Sequence, residues 1–282
     1  MSHKNFNIQK ASGKEESFSM EKLRNSLMRS KATYEEAELI IDELKSQLVP
    51  GMSTNKLYSM AYRLLKKQNN HNASRYYLKR AMMELGPSGY PFEKYIAALF
   101  QAEGFQTQTG IILEGKCVTH EIDVKAKKDQ LLYLMECKYK NQGGVSVDVK
   151  VPLYINSRFD DVLDNRSQLG HFSKFQGWIV TNARFTDDAK AYARCKGIEL
   201  LGWDYPNRNA LKDRIDASGL YPITCMSSLT EEEKRALLEE EIVLAKDLVM
   251  NEKLVLKIGV HPHRIKQIMN EVNSLCVPSN ED

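Results

Sequence analysis

Several absences narrow this chain before any motif is read. There is no long apolar run, and Met1-Ser2-His3-Lys4-Asn5 is too polar for a secretory signal, so neither a membrane partner nor export is expected. Strong charge of one sign is missing too. Forty Lys and Arg against 37 Asp and Glu leave a net charge of +3, so any nucleic-acid contact must use a local basic patch. The five cysteines (Cys117, Cys137, Cys195, Cys225 and Cys276) are scattered, odd in number and without zinc-ligand spacing, which fits a reducing cytoplasm. His261 and His263 flank Pro262 with no cysteine cluster to join them. No Gly-x-x-x-x-Gly-Lys-Ser/Thr loop occurs, which speaks against motor-type ATP use. What remains is 282 residues at 42% hydrophobic and 27% charged, a globular composition long enough for two ordinary domains.

The most informative stretch is residues 120–138. Two halves that alternate with period two flank Lys127-Lys128-Asp129-Gln130, which predicts a hairpin. In the first half Val118, His120, Ile122 and Val124 share one side, and Glu121, Asp123 and Lys125 the other. In the second, Leu132, Leu134, Glu136 and Lys138 share a face. Pairing the strands could bring Asp123 close to Glu136 and Lys138. Two carboxylates suit a hard cation such as Mg²⁺, and a lysine two residues on can act on a water or offset charge on a phosphate. An ordinary solvated face explains the same pattern, and from the pattern alone the two readings stand level. Two details favour a site. Glu136 and Lys138 end a strongly apolar strand, where unpaired charge is costly, and the loop Asn141-Gln142-Gly143-Gly144 follows directly.

Asp123 followed by Glu136-Cys137-Lys138 resembles the PD-(D/E)xK nuclease superfamily, in particular its Mrr-like restriction endonuclease branch. Ile122 stands where the motif's name has proline. The upstream run from Gly89-Tyr90-Pro91-Phe92-Glu93 to Gly104-Phe105 is similar to the opening helix of Mrr-type domains, whose acidic residue near the helix start can join the metal site; Glu93 matches it. The resemblance implies Asp123, Glu136, Lys138 and Glu93 as catalytic residues. It also implies Asp123, Glu136 and the backbone carbonyl of Cys137 as Mg²⁺ ligands.

Residues 5–86 read as a separate unit: a short hairpin and then four helices. Ser19, the Thr33/Glu36 capping box, and Ser53 or Thr54 mark three helix starts, while Gly86-Pro87 stops the fourth. This order resembles the ATP-cone, a nucleotide-binding regulatory domain. By position Lys10 and Lys22 would meet phosphates, Glu16 and Ser19 would sit near the nucleotide, and Thr54 would open the third helix. Ala11 departs from the arginine common in that family. A small helical interaction domain with ordinary surface lysines is the alternative.

Residues 90–205 follow a helix, three strands, helix, strand order, with residues 145–161 readable as either strand or helix and taken as helix. Residues 206–282 read as a helical extension, with a capping box expected at Ser228/Glu231 and a glycine turn at residues 256–260 that resembles a helix-hairpin-helix module. The expected fold is α/β (α+β): an ATP-cone, a restriction-endonuclease-like mixed sheet flanked by helices, and helical C-terminal layers. The expected function is a nucleotide-regulated, Mg²⁺-dependent DNA endonuclease of restriction or DNA-processing type, with ATP or dATP as effector. The motif does not read a 2′-hydroxyl, so an RNA substrate stays open. Cutting both strands at once would need a homodimer or higher oligomer. The competing reading is a non-catalytic, nucleotide-sensing DNA-binding regulator on the same fold.

Overall fold

The computed structural model describes residues 7–9, 13 and 15–277. Strands β1 (Asn7–Gln9) and β2 (Glu15–Ser17) pair antiparallel. Helices α1 (Met20–Arg29), α2 (Tyr34–Lys45) and α3 (Thr54–Gln68) follow. Each begins where a hydroxyl accepts an otherwise unpaired N–H: Ser19 from Lys22, Thr33 from Glu36, Ser53 from Lys56. The Glu36 carboxylate accepts the Thr33 N–H in return, which completes the expected capping box. Ser53 is the cap of α3, and Thr54 is its first helical residue. Leu27, Ile40, Ile41, Leu57 and Ala61 close a core of their own.

The expected fourth helix is two pieces, α4 (Asn70–Tyr76) and α5 (Leu78–Ala81). Tyr77 keeps helical torsions, but the Arg80 N–H donates to its carbonyl, a three-residue bond that tightens the turn. The two pieces serve different cores. Ala73 and Tyr76 pack in the front core, whereas Leu78, Ala81, Met82 and Leu85 enter the core that follows.

That second core lies under α6 (Tyr90–Ala102), which begins with Pro91 in its first turn and buries Phe92, Tyr95, Ile96, Leu99 and Phe100. Then come β3 (Gln106–Glu114), β4 (Thr119–Lys128), β5 (Leu131–Cys137), β6 (Ser146–Val147) and α7 (Lys150–Asp164). Next are β7 (Lys174–Val180), β8 (Arg184–Phe185), α8 (Asp187–Lys196) and β9 (Glu199–Leu201). The main sheet runs β3-β4-β5-β7-β9, antiparallel through β5 and parallel beyond it, while β6 and β8 pair separately. Residues 145–161 are thus mainly helical, and Pro152 is tolerated because it falls in the first turn of α7. Helix α6 covers one sheet face through Val124, Met135 and Trp178. Helices α7 and α8 cover the other through Leu132, Leu134 and Ile179. The protein is a mixed α/β fold of restriction-endonuclease type with a helical C-terminus.

Helices α9 (Leu211–Ser218), α10 (Glu231–Glu239), α11 (Glu252–Lys257) and α12 (Pro262–Leu275) complete the chain and share the α6-side core. The capping box here is Thr230/Glu233, not Ser228/Glu231. The Ser228 N–H instead donates to the buried carboxylate of Glu271, which also accepts from the Ser227 N–H and the Ser74 hydroxyl. Arg75 donates to the Tyr221 hydroxyl and the Leu275 carbonyl. Front unit and extension are therefore bolted together through polar groups with partners. The glycine turn at Gly259 is present, with φ +94. Two cations near it are engaged within the fold: Arg264 with Glu233 and the Ser228 carbonyl, Lys257 with Glu240. Among the described residues no helix is long and apolar enough to cross a membrane.

Candidate active site

The hairpin forms as expected, with Asp129 at φ 52 in its turn, but its alternation breaks at one residue. Ile122 packs with Leu132 and Leu134 on the α7 side, whereas Val124 and Ala126 pack with Met135 and Cys137 under α6. The expectation that Ile122 and Val124 share a face is corrected. The cause lies next door. Between the Thr109–Val124 and Ile111–Ile122 pairs sit Asp123 and Gly110, and Gly110 has φ +60, which few residues other than glycine adopt. The ladder between β4 and β5 runs from Lys128 to Val124 and goes no further. Beyond it the Cys137 N–H donates to Asp123 Oδ2 at 2.6 Å instead of to a backbone carbonyl. The two strands part where the carboxylates stand.

Glu136 is only 3% exposed and is paired twice, Oε1 with Lys138 Nζ and Oε2 with the Arg158 guanidinium. Burial pushes the Asp123 carboxyl up to about 6, with Glu136 adding repulsion and the Cys137 N–H, Lys138 and Arg158 opposing it. Glu93, in the first turn of α6, is pushed up to about 7 by burial and then by Asp123, Glu121 and Glu136. Three of the four expected catalytic residues are thus acids within electrostatic reach of one another, and Lys138 is the cation among them. The Cys137 thiol is buried, and burial drives its pKa well above the ordinary value, so a thiolate ligand is not on offer. Among the described residues no three His, Cys, Asp or Glu side chains are grouped as a metal site. Two carboxylates, a backbone carbonyl and waters make a smaller set, all of it hard oxygen, which fits Mg²⁺.

Sequence reasoning missed Arg158. It projects from α7, donates to the Glu121 carbonyl at 3.1 Å and to the Tyr154 hydroxyl at 2.9 Å, and holds Glu136. The available signal was a buried glutamate in need of a second partner. One turn on, Asp161 accepts from the N–H groups of Cys117 and Val118 and pairs with His120 Nε2 at 2.7 Å. Its carboxyl is held far below the ordinary range, first by the His120 bond. His120 is therefore a strut between β4 and α7. Thr181 and Asn182, which follow β7, are buried clamps. Thr181 donates to the Lys138 carbonyl. Asn182 donates to the carbonyls of Lys140 and Met82 and accepts the Lys140 N–H at 2.8 Å.

In the front unit Lys22 pairs with Glu16, Ser19 caps α1, and Thr54 opens α3; all four border one small cavity. Lys10 lies outside the described residues.

Comparison with known proteins fits this geometry. The restriction endonuclease family model Mrr_cat matches residues 86–205, and the model "AF1548-like, C-terminal" matches residues 221–276. An uncharacterized protein of Archaeoglobus fulgidus is 34% identical over 181 residues, 64% of this chain and 99% of that one. The chain belongs to the AF1548-like proteins. The crystal structure titled "Protein of Unknown Function AF1548" matches with a TM-score of 0.55 at 34% identity, covering 67% of this chain and 98% of that one. The Mrr_cat match gives the chain a restriction-endonuclease-like domain at residues 86–205, which points to a nuclease superfamily. Neither family match reaches residues 1–85, so the ATP-cone resemblance has no support from them.

Proposed function

We propose that this AF1548-like protein is a Mg²⁺-dependent DNA endonuclease. The supporting observation is the crowding of Glu93, Asp123 and Glu136 around Lys138 where β4 and β5 separate. Asp123, Glu136 and the Cys137 carbonyl would hold the ion, with Glu93 as a further carboxylate beside them. When bound, the ion supplies positive charge at the scissile phosphate and acidifies water. Lys138 orients the attacking water and stabilises charge on the phosphate oxygens. Arg158 fixes the Glu136 carboxylate from the α7 side through its Oε2. Phosphodiesters are inert enough that such charge stabilisation is the main task of the site.

The second element of the proposal is regulation. The hairpin and helices at the front act as an ATP-cone-like sensor for ATP or dATP, with Lys10, Glu16, Ser19, Lys22 and Thr54 at the ligand. Domain limits at residues 5–86, 90–205 and 206–282, action on DNA in the cytoplasm, and a dimer for double-strand cutting complete the reading.

Supercoiled plasmid incubated with Mg²⁺, with and without ATP, tests it. Wild type should nick or linearise the plasmid, and Asp123→Ala and Lys138→Ala should each abolish cutting while plasmid binding persists. Binding without cutting under any divalent metal would favour a non-catalytic regulator.

A further inference from the structure

Two cavities meet at the joint between the front unit and the sheet. The smaller, about 170 Å³, is walled by Phe18, Leu23, Leu57, Tyr58 and Tyr76. The larger, about 630 Å³, has Lys79, Lys140, Gly143, Gly144 and Arg184 on its wall. Ile8, Glu16, Lys22 and Thr54 border both, so the two adjoin along these residues. The larger alone falls within the roughly 300–1,000 Å³ typical of small-ligand sites.

The two ends differ in chemistry. At the niche Tyr58 and Tyr76 stack with ring centroids 4.8 Å apart and planes 13° apart; Tyr76 is buried, so the partly exposed Tyr58 gives the niche its aromatic wall. At the other end four cations face one space. Lys22 is shared with Glu16, and Arg184 with Asp204 at 2.8 Å. Among the described residues Lys79 and Lys140 form no ion pair. Lys79 lies over the Trp203 ring, 5.8 Å from its centroid, and the acid that acts on it, Asp204, is already paired with Arg184.

We infer that this space takes a nucleoside polyphosphate. The base occupies the Tyr58–Tyr76 niche, and the phosphates lie between Lys22 and the opposing Lys79, Lys140 and Arg184. The inference rests on the reading of the front unit as a nucleotide sensor. It adds that the nuclease-like unit supplies half of the phosphate contacts. A DNA backbone would use the same cations but leave the aromatic niche empty. The site also reaches the catalytic lysine. Both backbone polar groups of Lys140 are held by Asn182, and the Lys138 N–H donates to the Val180 carbonyl while its own carbonyl takes the Thr181 hydroxyl. Phosphates that draw Lys140 and Arg184 together therefore act on the two segments that position Lys138.

Calorimetric titration of the full-length protein with ATP and with adenosine tests this. Lys79→Ala/Lys140→Ala should weaken ATP binding by about tenfold or more and leave adenosine binding unchanged, since only charge-assisted phosphate contacts are removed. ATP should also slow amide exchange across residues 140–146. If wild type binds no ATP, the sensor reading and this inference both fall. If Lys22→Ala loses ATP but Lys79→Ala/Lys140→Ala does not, the sensor stands and the inference falls. If the double variant loses duplex DNA affinity while keeping ATP affinity, the cleft is a DNA groove and the inference is overturned.

Discussion

Arg158 of α7 and Glu136 of β5 form a buried ion pair, and Lys138 occupies the second carboxylate oxygen. Removing one partner of such a pair leaves a charge with too little compensation, which costs about 3 kcal/mol. Arg158→Ala should therefore lower the urea unfolding free energy by that order. Glu136→Gln/Arg158→Ala should recover more than half of the loss, because the stranded charge is then gone. Additive losses in this cycle would mean that Arg158 acts through packing alone.

The crowded acids set a pH dependence. Asp123 and Glu93 titrate near 6 and 7 in the folded protein, above the value of ~4 for an ordinary carboxyl. Between those limits the folded state keeps protons that the unfolded chain has released. Stability of the metal-free protein should therefore fall as pH rises from about 4 to about 7, and level off above. Glu93→Gln should stabilise the protein at pH 8 by on the order of 1 kcal/mol, a figure reduced for solvent screening, and do little at pH 4. Mg²⁺ should raise the melting temperature more at pH 8 than at pH 5, since it must compete with protons below neutrality. Melting curves with and without the ion measure both effects.

Asn182 carries the loop that follows Lys138. Its side chain satisfies both backbone groups of Lys140 and the Met82 carbonyl in a buried setting. Asn182→Ala should cost about 2–3 kcal/mol, the penalty for leaving buried backbone groups unpaired. Amide exchange at Lys140 should rise with it. Unchanged exchange there would show that the loop is held by other contacts.

Glu271 joins three segments through Ser74, Ser227 and Ser228. Glu271→Ala should destabilise the protein by about 3 kcal/mol. The damage should spread to the interface with the front unit, seen as faster exchange in α4 as well as in residues 227–228. Exchange confined to residues 227–228 would show that the front unit does not depend on this carboxylate.

Much of this was legible in the sequence because local rules decide it. Ser19 and Thr33 start helices through a single hydroxyl, and the apolar stripe of α6 rests on five residues spaced three and four apart. Other features depend on what lies opposite. The face switch between Ile122 and Val124 follows from the conformation of Gly110 on the neighbouring strand, which the alternation of β4 alone does not reveal. Ser228 and Thr230 are each followed three residues on by a glutamate, so the motif fits both. Tertiary contact decides between them, because Glu271 takes the Ser228 N–H. Arg158 was out of sight because its role depends on how α7 docks against β5, twenty-two residues upstream.

The most direct test of the account is the anomalous scattering of Mn²⁺ in crystals of the full-length protein at pH 8. A peak between the Asp123 and Glu136 carboxylates, with Arg158 still on Glu136 and Lys138 beside the ion, is the predicted result. An empty gap there at saturating Mn²⁺, with the ion bound elsewhere or not at all, would contradict it.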